Sequence, residues 1–516
     1  MFFLPAEDPF ADDDLVISAT DIVTGYSCEY AAMRRLDALL GRIDTEEAPD
    51  AMLRVVTELG TRHEEEVLET LRPAGVYEVP SAGRLSRTAL MARHEDTLAA
   101  LSRDHGVIYQ ASFFDGSFHG AADFLVRQGD GSWAVQDTKL ARTAKAPALM
   151  QLAAYADQLE AAGVTVHPEA ALILGSGERS VHALADLLPG YRYARHHLTA
   201  LLHDHLDDDE PAAWGDTRWT ACLSCDDCKA AVNAHDDLML VRGMNRTRRA
   251  RLIAAGISTM HAFATADFPA GDRIHTTLHQ QAKLQCGIGS KTGTINGVSF
   301  KILLPHSIGT IPKPSPGDIF FDFEGDPLYQ DPDTREWGIE YLFGLLEQTP
   351  QGFTKFTSFT AHDYAAEKQA LIDFIGYVRG RLKHHPDLHI YHYASYEVTA
   401  LRRLAARHGV MAAEVEWLVE AGILFDLYEI VKTSLMISDR SLSIKKLEPL
   451  YMEGHRTGTA TAVDSITQYA DYRAAAAAGD QATAQTIFRD ILAYNEYDCL
   501  STLKLRDWLR ELPISH

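Results

Sequence analysis

Two aspartates, Asp123 and Asp137, stand fourteen positions apart, and the second opens an Asp137-Thr138-Lys139 triplet. Paired carboxylates hold a divalent cation, which activates water and neutralises charge on a phosphate. A lysine beside them can orient that water or stabilise the developing negative charge. Together they are the equipment of metal-assisted phosphodiester cleavage. A second acidic pair, Asp322 and Glu324, alternates with phenylalanines in DIFFDFEGDP. On a strand that spacing puts both carboxylates on one face, where they repel unless a cation lies between them. A third group is sulfur: Cys222, Cys225 and Cys228 follow C-x-x-C-x-x-C. Three thiolates need a fourth ligand to complete a tetrahedral zinc site or a cubane cluster.

The first pair must be positioned by Gly120–Tyr155, which reads as strand, polar turn, strand and helix. Asp123 is expected to end the first apolar run, and Asp137 to Lys139 to lie on or just after the second. Gln151 and Tyr155 follow four apart on one helix face. This order of Asp, Asp-Thr-Lys and Gln-x-x-x-Tyr resembles the RecB-like branch of the PD-(D/E)XK nucleases. The resemblance implies that Asp123 and Asp137 are metal ligands, Lys139 is the catalytic lysine, and Gln151 and Tyr155 contact DNA. Upstream, Gly60-x-x-His63 in a helical pattern is similar to the first motif of that branch. It implies His63 as a further ligand and Glu64 as a weaker one, although by charge alone this is a Glu-rich surface helix.

Cys28 lies near the start of a helix that Ser18, Thr20 or Asp21 can cap. It precedes the nuclease-like region as the cysteine trio follows it, and is the candidate fourth ligand. One cysteine upstream and three downstream resemble the iron–sulfur staple of RecB-like exonucleases, which implies a 4Fe–4S cluster tying the ends of the domain together. The downstream spacing departs from the commoner C-x-x-C with a longer gap, so zinc stays open as the alternative. Cys286 and Cys499 are assigned to packing.

The second acidic pair opens another series. Residues 387–405 read as a strand and then a helix from near Ser395, with Glu397 in its first turn. Asp426 ends a further strand, SLSIKKLEPLY reads as a helix, and Tyr494 and Asp498 stand four apart on the last helix. Asp-x-Glu, a carboxylate at a helix start and Tyr-x-x-x-Asp resemble the DEDDy branch of RNase H-like 3′–5′ exonucleases. The resemblance covers residues 316–512. It implies that Asp322, Glu324, Glu397 and Asp498 hold two divalent ions while Tyr494 positions the attacking water. The branch at large has Asp where this chain has Glu397, with Asp426 in reserve.

Between the two regions, residues 236–265 outline a helix-hairpin-helix, a module that presents turn amides and arginines to a nucleic-acid backbone. Arg242, Arg246, Arg248 and Arg249 are its candidate nucleic-acid contacts. The four prolines of Leu304–Gly317 suggest a linker. CGIGSKTG at 286–293 lacks the glycines of a phosphate loop, so no ATP-driven motor is expected and a helicase becomes a plausible partner.

At 516 residues the chain calls for two to four domains, and a 46% hydrophobic, 23% charged composition is that of a soluble globular protein. A net charge of −24 argues against indiscriminate coating of nucleic acid but leaves room for a local basic stripe. No apolar run suits a bilayer and the acidic start lacks a basic n-region, so a cytoplasmic location without membrane contact is expected.

The whole order resembles a family of RecB-like nucleases with a C-terminal exonuclease domain. The expected fold is α/β throughout: a RecB-like domain over 15–230 with a mixed sheet flanked by helices, a helix-hairpin-helix-like segment over 232–300, and an RNase H-like domain over 316–512. The expected function is a deoxyribonuclease using Mg²⁺ or Mn²⁺, an exonuclease on single-stranded DNA or DNA ends. A non-catalytic nucleic-acid adaptor and an RNA-directed exonuclease are the competing readings.

Overall fold

Strand-length apolar runs, separated by helices and turns, build two α/β units, Met1–His235 and Asp236–His516. The computed structural model describes residues 1–5, 13–44, 51–81, 85–267, 273–349, 351–454 and 462–513.

The first unit holds an eight-stranded sheet. Its strands are β1 (Phe2–Leu4), β2 (Asp14–Ser18), β3 (Val76–Glu78), β4 (Val107–Phe114), β5 (Phe118–Arg127), β6 (Trp133–Lys139), β7 (Glu169–Leu174) and β8 (Arg179–Ala183). The helices are α1 (Ala19–Ser27), α2 (Glu29–Leu39), α3 (Ala51–Leu71), α4 (Arg87–Leu101), α5 (Ala146–Ala161), α6 (Leu184–Leu206) and α7 (Asp226–Ala234). Ser18 is the cap of α1: its hydroxyl accepts from the Asp21 amide, and the Asp21 carboxylate accepts from the Ser18 amide. β6 lies between antiparallel β5 and parallel β7, so Trp133 to Thr138 are all buried and the run reads apolar without alternation. Asp123 does not end its strand. The four residues Phe124–Arg127 continue β5 by pairing with Trp133–Gln136, which leaves Asp123 in mid-strand facing the hairpin partner. Helix α5 lays Leu152, Tyr155 and Leu159 into the core at helical spacing.

The second unit is built on a five-stranded sheet of order β13-β12-β11-β14-β15. Two short strands, β9 (Gly293–Ile295) and β10 (Val298–Ile302), precede it. Its own strands are β11 (Ile319–Gln330), β12 (Trp337–Gln348), β13 (Thr354–Thr360), β14 (Ile390–His392) and β15 (Leu424–Asp426), and β16 (Leu435–Ile437) follows. β11 to β13 form an antiparallel meander, while β14 and β15 run parallel to β11.

The remaining helices are α8 (Arg246–Ala254), α9 (Met260–Thr265), α10 (Arg273–Gln285), α11 (Pro305–Ile308), α12 (Tyr364–Leu382), α13 (Tyr396–His408), α14 (Ala412–Glu420), α15 (Leu427–Ser434), α16 (Ile444–Leu447), α17 (Ala462–Ala477) and α18 (Gln481–Glu511). The period of two sorts β11: Ile319, Phe321 and Phe323 pack with α12 to α14, and Phe320 packs on the other face with α18. Asp322 and Glu324 share the α18 face.

Residues 236–302 belong to this second unit. β10 pairs with β16, and the Gln281 side-chain amide donates to the Ile437 carbonyl at 2.8 Å. The proline-rich stretch read as a linker lies inside the same unit and carries α11. SLSIKKLEPLY is helical only over α16 and a tight turn to Leu450, because Pro449 has no amide to continue the ladder. Among the described residues, no helix is long and apolar enough to cross a membrane.

Candidate metal centres

Asp322 and Glu324 from β11 and Asp498 from α18 each offer an oxygen, and the three oxygens lie within 4.8 Å of one another. Neighbours hold the carboxylates in place. Asn495, three residues before Asp498, donates its side-chain amide to Asp322 Oδ2 at 2.8 Å. Ser465 of α17 donates to Glu324 Oε2 at 2.6 Å, and the Tyr341 hydroxyl meets the Ser465 hydroxyl at 2.7 Å. Burial, reinforced by the charge of Asp498, pushes the Glu324 carboxyl up to about 7.

Glu397 lies in the first turn of α13, 3% exposed and outside that group of three. Its Oε2 has His392 Nδ1 at 3.4 Å, but that nitrogen is nearer the Ala394 carbonyl, at 2.8 Å. Buried Cys499 senses all four acids: burial and then the charges of Asp322, Asp498, Glu324 and Glu397 raise its thiol well above the ordinary value. Asp426 is committed to backbone, accepting from the amides of Ala394 and Tyr428 at 2.8 Å each. The Tyr494 hydroxyl accepts from Lys445 Nζ at 2.9 Å. An under-satisfied buried Glu397 oxygen, three converging carboxylates and a raised Glu324 fit hard divalent cations with oxygen ligands.

Sequence reasoning missed Asn495, Ser465, Lys445 and Gly344. Gly344 pairs directly across from Asp322 in the β11–β12 register. A Cβ there would lie 1.6 Å from Asn495 Oδ1 and 2.7 Å from Asn495 Cγ. A glycine isolated inside a strand pattern, as in YLFGLLE, is the signal for such a close approach. Gly344→Ala is expected to displace Asn495, destabilise the second unit by about 1–3 kcal/mol and disorder the triad. Urea unfolding checks this, and an unchanged midpoint would refute it.

The four predicted cysteines come together. Cys28 caps α2, its sulfur accepting from the Ala31 amide at 3.4 Å; of the trio, Cys222 lies in the loop before α7 with Leu223 in a left-handed turn, Cys225 immediately precedes the helix and Cys228 lies in its first turn. Sγ–Sγ distances are 3.5 Å for Cys28–Cys228 and 3.8 Å for both Cys222–Cys228 and Cys225–Cys28. All four sulfurs lie within 4.8 Å of one another and none is in a disulfide. Cys222 Sγ accepts from the amides of Ser224 and Cys225 and from the Ser224 hydroxyl. These bonds outweigh burial and bring its thiol down to about 6, whereas burial takes Cys225 up to about 11. A sulfur whose anion is favoured by three hydrogen bonds, beside three further cysteine sulfurs, suits a thiophilic metal.

The RecB-like residues gather in part. Asp123 Oδ2 accepts from the Thr138 amide at 2.8 Å and the Thr138 hydroxyl at 2.7 Å, and Lys139 pairs with Asp137. Burial first and the charge of Asp123 second push Asp137 up to about 8. Tyr155 is buried, stacks on Phe113 and has its hydroxyl pushed up by burial and then by Asp137 and Asp123; Gln151 stands half-buried one turn earlier. His63 Nε2 bonds the Ile173 carbonyl at 3.0 Å, beside Thr138 in the β6–β7 register. Glu64 is raised by burial and then by Asp123, and accepts from Gln110 Nε2 at 2.5 Å. Among the described residues, His63, Asp123 and Asp137 do not form a group of three ligand atoms within 4.8 Å.

The arginines of the middle segment divide. Arg249 forms an ion pair with buried Asp237 at 2.6 Å, and half-buried Arg242 reaches Gln281 at 3.4 Å with its basicity lowered by burial. Arg248 donates to the Gly243 carbonyl at 3.2 Å, and Arg246 is exposed at the start of α8.

The family model of the RNase_H superfamily, RNase_H_2, matches residues 319–510, from β11 to the last turn of α18. Residues 319–510 of the second unit are thus similar to the RNase_H superfamily, whose folds usually use divalent metals. No curated protein matches the chain.

Proposed function

We propose that this protein is a metal-dependent deoxyribonuclease, an exonuclease on single-stranded DNA or DNA ends, with its principal centre at Asp322, Glu324 and Asp498. The convergence of those three oxygens within 4.8 Å, inside the matched region, carries the reading. Glu397 completes the set on the DEDDy pattern. Divalent ions such as Mg²⁺ or Mn²⁺ bound there supply charge neutralisation at the phosphate and activation of water. The chain's part is to hold the carboxylates: Asn495 steadies Asp322, Ser465 steadies Glu324, and Tyr494 orients water.

The first unit offers a second, RecB-like centre. Asp123 and Asp137 would share an ion with His63 or Glu64, Lys139 would act on the water or phosphate, and Gln151 and Tyr155 would position the strand. Arg242, Arg246, Arg248 and Arg249 would add backbone contacts, Arg246 being the exposed one. A helicase partner would supply the strand separation for which the chain has no phosphate loop.

For the cysteines, Sγ spacing supports one tetrahedral ion. Metal–sulfur bonds of about 2.3 Å give tetrahedron edges of about 3.8 Å, against 3.5–3.8 Å for three of the pairs here and at most 4.8 Å for the others. A cubane holds its thiolates on four separate irons, farther apart than sulfurs in contact. Zinc is thus favoured over 4Fe–4S.

The test is Mg²⁺- or Mn²⁺-dependent breakdown of end-labelled single-stranded DNA, with RNA alongside. Lys139→Ala is expected to remove the cleavage that survives in an Asp322→Ala background, by about 10²-fold or more. Survival unchanged would count against the RecB-like centre. No cleavage of either polymer by the wild type would favour the adaptor.

A further inference from the structure

Two adjacent lysines on the four-residue helix α16 behave differently. Lys446 is 56% exposed and pairs with Asp439 at 3.4 Å on the surface. Lys445 is half-buried and turned inward: its Nζ donates to the Tyr494 hydroxyl at 2.9 Å and sits 5.3 Å from the centre of the Tyr494 ring. Its charge also acts on Glu324, favouring the ionised carboxylate. The helix is held in register by fully buried Leu447, and Asn296 ties the following turn by donating to the Pro449 carbonyl at 2.9 Å.

We propose that Lys445 is a positioning residue of the triad, one that sets the direction in which the Tyr494 hydroxyl donates; this rests on the nuclease reading of the same site. An ammonium has donors and no acceptor, so in this bond the phenolic oxygen can only accept. The tyrosine's own proton then points away from Lys445. Tyr494 and Asp498 are four apart on α18, so hydroxyl and carboxylate share a helix face. Lys445 thereby turns the hydroxyl's donor side away from the ammonium, along the helix face that carries Asp498, where a water bound among the three carboxylates would meet it. It also offsets part of the acidic charge there, as a fixed cation that needs no reorganisation during reaction.

The experiment compares the full chain with Lys445→Ala, Lys445→Arg, Tyr494→Phe and Lys445→Ala/Tyr494→Phe in Mn²⁺-dependent cleavage of single-stranded DNA. Each variant is first checked by circular dichroism. Lys445→Ala is expected to lower kcat by about 10- to 100-fold with KM nearly unchanged, the size usual for removing an outer-shell partner. Arginine should restore most of that loss, and alanine should add nothing in the Tyr494→Phe background. A readout without turnover is Mn²⁺ binding followed by electron paramagnetic resonance. Removing a neighbouring cation should tighten it severalfold, whereas a merely structural lysine would leave it unchanged or weaken it.

Normal kcat in Lys445→Ala, with Asp322→Ala inactive, would overturn the role of the lysine alone. So would full additivity with Tyr494→Phe. Normal activity in Asp322→Ala, or none in the wild type, would overturn the nuclease reading of the triad and this inference with it.

Discussion

Asp322→Ala is expected to lower divalent-dependent release of nucleotides from DNA ends by at least about 10³-fold, because a cation's stabilisation of the transition state amounts to several kcal/mol and each 1.36 kcal/mol is tenfold. Three features concentrate the effect on this residue. It shares the cluster with Glu324 and Asp498, it receives the Asn495 amide at 2.8 Å, and it stands opposite the glycine that lets Asn495 approach. Asp322→Asn keeps the shape and removes the charge, so it should fail almost as badly while folding like the wild type. Relief of repulsion with Glu324 should leave both variants no less stable in metal-free buffer, measurable as the urea midpoint. If cleavage persists in Asp322→Ala and disappears in Lys139→Ala, the chemistry belongs to the first unit.

The second large effect is expected at sulfur. Cys228 is fully buried in the core of the first unit, among Ala31, Ala32 and Ala231. A metal bound only by the folded state adds to stability by mass action, about 4 kcal/mol for a ligand present at a thousand times its Kd. Cys228→Ser should forfeit that amount and lower the thermal midpoint of this unit by about 10 °C, given some 2–4 °C per kcal/mol for a unit of this size. Metal analysis of the purified full chain should find one zinc, with no visible absorption band, and less than one in the variant. A brown chromophore with four irons per chain would reinstate the cubane. An unchanged midpoint with no metal in the wild type would remove the metal from the account altogether.

What could be read in the sequence was whatever repeats at short range. Asp322 with Glu324 is a period of two, Tyr494 with Asp498 a turn of helix, and the cysteine trio a loop running into the first turn of a helix. Each arrived in the geometry its spacing implies. Cys28 was found only by its place in the chain. Asp123 was misplaced to a strand end because a carboxylate interrupts an apolar run; two hydrogen bonds from Thr138, across the hairpin, are what let it sit in mid-strand. Ser465 and Lys445 belong to segments with no motif of their own, and they reach the acids only through tertiary packing. The stretch 304–317 has the prolines of a linker, yet Ile308 and Ile311 are buried in a core cluster with residues of α15 and α18, long-range packing that no local pattern carries.

The cysteine site also bears on the protein's synthesis. Cys28 and Cys222 are 194 residues apart. At about 5–20 residues per second, Cys28 leaves the ribosome roughly 10–40 s before the first of its three partners. During that interval the growing chain can rely only on its apolar core. A metal bound by the four cysteines would therefore cross-link the first unit only after every strand of its sheet has been synthesised, the last of them ending at Ala183.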